Sequence, residues 1–310
     1  MSRIHEALRK AAYGNSEVPK PELARTEVFS ELSEDTPISG TAVAEPVEFS
    51  DLGLDALGQI IRNAREISFE PPSDALLVNP AKPGEAPAEE FRTLRTRLNQ
   101  LQTTQSLRTL VVTSASPAEG KSFTAANLAI SQAQLAGKRV LLADFDFRRP
   151  NVNRVFQIDC APGLTDYLGG HATLGDIIQK VAGLNLYLMT AGGSVPNPLE
   201  LLNLRECKNL IDQVRDRFDW VILDSPPLLS AADANLLASI CDGTIIVVRI
   251  GATTFDAVAR AIPSLSENNV LGIVVNGAHR DELYNKYSYQ YGPKQEEPED
   301  PGTSGTLYWA

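Results

Sequence analysis

Between residues 88 and 276 the chain alternates short apolar runs with stretches whose apolar positions recur every three to four residues. The runs near 108–113, 139–143, 185–190, 219–223, 243–249 and 271–275 predict strands, and the stretches 88–102, 121–136, 198–217 and 254–268 predict helices. Strand–helix alternation implies crossover connections and hence a parallel sheet covered on both faces. The run Gly243-Thr-Ile-Ile-Val-Val-Arg249 is apolar nearly throughout, as a strand with two buried faces should be. The expected fold class is α/β: a doubly wound, mostly parallel sheet with helices on both faces.

The flanks lack this rhythm. Residues 1–14 predict a short amphipathic helix, capped by Ser2, with Ile4, Ala7, Leu8 and Ala11 on one side and Arg3, Arg9 and Lys10 on its flank. Residues 15–84 read as an acidic, largely disordered linker. Ten carboxylates stand against Lys20 and Arg25 up to residue 60, and prolines punctuate the remainder. A short helix within Asp55–Ile67 is the exception. The folded domain is expected over 85–280, followed by a flexible tyrosine-rich tail over 281–310.

The net charge of −11 argues against nucleic acid or an anionic membrane as the main partner, since both select basic surfaces. Cys160, Cys207 and Cys241 lack metal-ligand spacing and read as reduced thiols. No apolar run approaches the roughly 20 residues that span a bilayer. Neither a signal-peptide core nor a myristoylation glycine follows Met1, so a cytoplasmic protein is expected.

The chemistry concentrates at strand ends. The run Thr109–Thr113 leads into Ala115-Ser-Pro-Ala-Glu-Gly120-Lys121-Ser122, a phosphate-binding loop in strand–loop–helix context. Its backbone N–H groups and the following helix N-terminus suit phosphate oxygens. Ser116, Pro117, Ala118, Glu119, Gly120, Lys121, Ser122 and Phe123 are the expected nucleotide contacts. Lys121 would reach the β- and γ-phosphates, and Ser122 would supply a hydroxyl to Mg²⁺. Ala115 stands where the usual pattern has its first glycine. One strand later come Asp144, Asp146 and Arg148, and a further strand closes on Asp224. A magnesium ion bridging phosphates needs carboxylates at such strand ends.

The chain from about Glu85 to Asn276 resembles the bacterial tyrosine kinases of capsule and exopolysaccharide synthesis. The resemblance rests on Glu90–Arg95, Thr113–Ser122, Asp144–Pro150, Thr190–Leu202 and Val221–Pro227. It implies a P-loop NTPase fold and an ATP- and Mg²⁺-dependent protein-tyrosine autokinase. Lys121, Asp144, Asp146, Arg148 and Asp224 would be catalytic, with Ser122, Asp144, Asp146 and Asp224 around the metal. Asp144 would accept the tyrosine proton or share the metal, and Arg148 would order the acidic pair. Asn276 is read either as an adenine contact or as a strand-terminating turn residue.

Five of the eight tyrosines, Tyr284, Tyr287, Tyr289, Tyr291 and Tyr308, lie in the last 27 residues. They read either as an edge strand or, by the resemblance, as phosphoacceptors. Phosphorylation beside Glu296, Glu297, Glu299 and Asp300 would add charge to an already acidic chain and separate an oligomer. Glu89, Arg92 and Arg95 share one helical arc. They predict an intrahelical pair or, by the resemblance, the contact that joins a homo-oligomer such as a ring. The resemblance also implies recruitment to the inner face of the cell membrane. The partners would be a separate Wzz-like polysaccharide co-polymerase as activator and a cognate tyrosine phosphatase. The alternatives are a switch ATPase of the plasmid-partition or division-site kind and a catalytically idle nucleotide-binding adaptor of a polysaccharide exporter.

Overall fold

A computed structural model describes residues 54–70, 78–79, 88–202, 205–265 and 270–277. Strands β1 (Arg65–Ile67), β2 (Thr109–Ser114), β3 (Val140–Asp144), β4 (Ile178–Val181), β5 (Leu186–Met189), β6 (Trp220–Asp224), β7 (Gly243–Arg249) and β8 (Val270–Asn276) make one sheet. Its order is β1-β4-β5-β3-β6-β2-β7-β8. Every neighbouring pair is parallel except β4–β5. The helices are α1 (Leu54–Arg62), α2 (Ala88–Thr104), α3 (Lys121–Ala133), α4 (Val152–Phe156), α5 (Leu164–Leu168), α6 (Leu174–Ile177), α7 (Pro198–Leu202), α8 (Arg205–Arg215), α9 (Asp233–Ile240) and α10 (Phe255–Ala261).

Every residue of β2, β3, β5 and β6 is buried, which explains their unbroken apolar sequences. Period-two alternation sends their side chains to opposite faces. Leu110, Val112, Leu142, Trp220 and Ile222 pack with α2 and α3. Val111, Leu141, Val221 and Leu223 pack with Leu57 and Ile61 of α1 and with α5, α6, α8 and α9. The polar edge of Trp220 is satisfied as well, its Nε1–H donating to Asn99 Oδ1 at 3.0 Å. Helix α3 is buried along almost its whole length. Ala125, Ala126 and Ala129 line it where it lies against the sheet, all fully buried.

The six predicted strands are present to within a residue or two. Two strands had no prediction: β1 is three residues long, and β4 is the antiparallel neighbour of β5. Within the linker expected over 15–84, the short helix expected inside Asp55–Ile67 is present as α1, and order extends beyond it, because Leu54–Glu70 packs with the sheet. Leu57, Ile61 and Ile67 are buried, β1 pairs with β4, and Val78 N–H donates to Asn127 Oδ1 at 2.6 Å. In place of one helix over 198–217, α7 and α8 are helical, with 203–204 outside the described residues. Pro263, which has no N–H to donate, lies in a 3₁₀ turn over Ile262–Ser264 that follows α10. The predicted N-terminal helix and the tail over 281–310 also lie outside the described residues.

Candidate active site

Strands β3, β6, β2, β7 and β8 are parallel neighbours, so their carboxyl ends share one edge of the sheet. That edge carries Asp144, Asp224, the loop after Ser114, Arg249 and Asn276. Ligands of doubly wound sheets bind outside such an edge.

Ala115 is fully buried in the cluster formed with Leu228, Ala234 and Ala238, which accounts for a methyl group where the loop pattern expects glycine. Gly120, in contrast, is required. Its φ is +95°, and a Cβ there would lie 1.9 Å from Asn276 Nδ2. Ala118 shares the left-handed region at φ +63°. The loop feeds straight into α3, whose N-terminal dipole favours anions at Lys121 and Ser122. The Asn276 amide lies against the loop, donating to Glu119 O at 3.0 Å and accepting from Gly277 N–H at 2.8 Å. The contact observed for this side chain is therefore with the loop.

Past β3 the sequence alternates Phe and Asp, and the structure separates them. Phe145 and Phe147 enter the core, while Asp144 and Asp146 neighbour Lys121. Lys121 Nζ lies 2.7 Å from Asp146 Oδ2, whose other oxygen accepts Arg149 N–H at 3.0 Å. Burial would lower the Lys121 pKa, but Asp224, Asp146 and Asp144 outweigh it and hold the ammonium above the ordinary lysine value.

Asp144 is fully buried and accepts three backbone N–H bonds. Asp146 donates to Oδ1 at 3.1 Å, and Asn151 and Val152 donate to Oδ2 at 2.9 Å each. The carboxylate thus anchors the start of α4. Burial, followed by the Asp224 charge, still pushes its pKa up to about 7. Asp224 lies opposite Asp144 in the β3–β6 register and is likewise fully buried. Neither of its carboxylate oxygens has a hydrogen-bond partner of normal geometry. Burial raises its pKa to about 6, against the opposing pull of Lys121 and the nearby Ser122 hydroxyl.

One expected contact differs in the structure. Arg148 does not bond to the acidic pair: its Nε donates to Asp233 Oδ2 at 2.9 Å and Nη2 to Oδ1 at 3.4 Å. Asp233 begins α9 and is buried, so its charge demands this partner. Arg95 turns inward and donates to Ser131 O of α3 at 2.8 Å, whereas Arg92 pairs with Glu89 on the same helix. The candidate phosphoacceptors Tyr284, Tyr287, Tyr289, Tyr291 and Tyr308 lie outside the described residues.

Among the described residues, no three His, Cys, Asp or Glu side chains converge to hold a metal unaided. The unpartnered Asp224 carboxylate nevertheless fits magnesium, which takes one or two protein ligands and fills its shell with water and phosphate oxygens. Asp233, Arg249 and Thr253 complete the surroundings. Nothing in the sequence marked Asp233 or Thr253, since each is a single polar residue outside any motif.

A family model described as an AAA domain matches residues 108–268. Tyrosine-protein kinase YwqD of Bacillus subtilis (strain 168) is 36% identical over 209 residues, covering 67% of this chain and 87% of that protein. Tyrosine-protein kinase ptk of Acinetobacter johnsonii is 31% identical over 189 residues. The match covers 61% of this chain but only 25% of that longer relative. The solved kinase domain of Escherichia coli tyrosine kinase ETK superposes with a TM-score of 0.61 at 28% identity, covering 72% of this chain and 82% of that one.

Proposed function

Given that the chain belongs to the bacterial tyrosine-kinase family, we propose that it transfers the γ-phosphate of ATP to tyrosine hydroxyls. The acceptors are Tyr284, Tyr287, Tyr289, Tyr291 and Tyr308 of a second copy. The observation that carries this reading is the buried Asp224 carboxylate, unpartnered and next to Lys121 and Ser122 at the mouth of the loop.

Phosphoryl transfer asks a protein mainly to position its reactants and to neutralise charge. Loop N–H groups and the α3 N-terminus hold the phosphates, and Lys121 offsets their charge. Asp146 fixes the lysine, its carboxylate 2.7 Å from Nζ. Ser122 and Asp224 would hold Mg²⁺, which would supply positive charge beside the phosphates. Asp144 receives the tyrosine proton. Its raised pKa of about 7 lies in the range a general base needs.

The regulatory part of the proposal rests on the sequence resemblance. The kinase controls the length or export of a polysaccharide through a membrane co-polymerase, and a phosphatase resets it. No helix among the described residues is long and apolar enough to cross a membrane. Copies associate through the helix bearing Glu89, Arg92 and Arg95.

Transfer between copies can be tested by mixing wild-type chain with a heavier, tagged Lys121→Met chain in Mg-ATP and a membrane-activator fragment. Phosphotyrosine should appear on the Lys121→Met chain only when wild type is present. Labelling of Lys121→Met alone, or no labelling in the mixture, contradicts the reading.

A further inference from the structure

The phosphate loop is gripped from one side by residues that no motif contains. Thr253, in the turn between β7 and α10, donates its hydroxyl to Glu119 Oε1 at 2.6 Å and accepts Arg249 N–H at 2.7 Å. The other oxygen of Glu119 accepts Ser116 N–H at 3.1 Å across the loop. Arg249 Nη1 donates to Ala118 O at 3.3 Å, and Asn276 Nδ2 to Glu119 O at 3.0 Å. Two consecutive loop residues are therefore tied to β7, its following turn and β8.

Glu119 is only 2% exposed, and its carboxylate faces the loop backbone and Thr253. Phosphate would be repelled by this carboxylate, so the Glu119 side chain serves the loop and not the phosphate. The loop also needs restraint. Ala118 occupies a backbone region that side chains other than glycine avoid, and such conformations persist only where surrounding contacts over-determine them. The bonds through Glu119 supply that restraint on both sides of Ala118.

We propose that Glu119 and Thr253 form a latch that fixes the phosphate loop in its binding shape. Thr253 is thereby a positioning residue for nucleotide, acting from outside the loop. The inference rests on the nucleotide reading above and deepens it. Because the loop holds phosphates before and during transfer alike, the latch acts on binding more than on the chemical step.

The test uses the full-length chain and ADP, with ATP kinetics beside it. In Thr253→Val the shape is kept and the hydroxyl lost. The ADP Kd and the ATP KM should each rise about tenfold, the size expected for a lost hydrogen bond to a charged group. The kcat should stay within about threefold and Thr253→Ser should restore binding, since its hydroxyl can make the same bonds. Glu119→Gln should raise the ADP Kd as Thr253→Val does, and the double variant should bind little worse than either, because both remove one coupled unit. Wild-type affinity in Thr253→Val overturns the latch. So does a loss that serine does not restore, or one that merely follows a fall in melting temperature. Failure of the wild-type chain to bind ADP would instead overturn the nucleotide reading itself.

Discussion

Asp224 is a buried carboxylate whose oxygens have no hydrogen-bond partner of normal geometry. Burial raises its pKa from 3.8 to about 6, and Asp144 is raised to about 7. A carboxyl raised on folding favours the fold while it is protonated. That stabilisation is fully present below the unfolded value and is lost as pH climbs through the folded one. Without added nucleotide, the melting temperature should therefore fall between about pH 4 and about pH 8. Asp224→Asn should flatten this fall and stabilise the protein near neutral pH by on the order of 3 kcal/mol, while abolishing phosphate transfer. An unchanged pH slope in Asp224→Asn contradicts this account. The sequence placed Asp224 at a strand end and so near the loop. It could not show that Asp144 caps α4 or that Arg148 turns to Asp233, because both depend on chain segments brought together only by folding.

Among the elements, the central strands were legible because two buried faces demand uninterrupted apolar sequence. The edge was not. Strand β1 contains one buried residue in three, too few for any period, and in four-residue β4 the buried Ile178 and Val181 flank two polar residues with no alternation. Helices α4, α5 and α6 are four or five residues long and show no helical repeat of their own. Yet the β1 edge matters energetically. Leu57 and Ile61 enter one face of the core, and Ile67 the other. Each such side chain contributes about 1.5–3 kcal/mol by its burial. A chain starting at residue 71 should therefore be less stable than one starting at residue 54 by about 5 kcal/mol, read from urea midpoints. Equal midpoints would mean that α1 and β1 contribute nothing to the fold.

For the whole molecule, the sheet places Asp144, Asp224, the phosphate loop and Asn276 along one edge, in an order that the chain itself does not follow. That edge is where a nucleotide's phosphates and a tyrosine hydroxyl can meet. With a net charge of −11 on the chain, each phosphotyrosine added to the acidic tail increases repulsion between copies, so phosphorylation should oppose association. Phosphoryl transfer to the tail tyrosines is read directly by intact mass. Wild-type chain, Lys121→Met and a chain in which Tyr284, Tyr287, Tyr289, Tyr291 and Tyr308 are all phenylalanine would each be weighed after incubation with Mg-ATP and a membrane-activator fragment. Wild type should gain successive additions of one phosphate each, and neither variant should gain any. Phosphate added equally to the five-phenylalanine chain, or to Lys121→Met alone, would contradict this transfer.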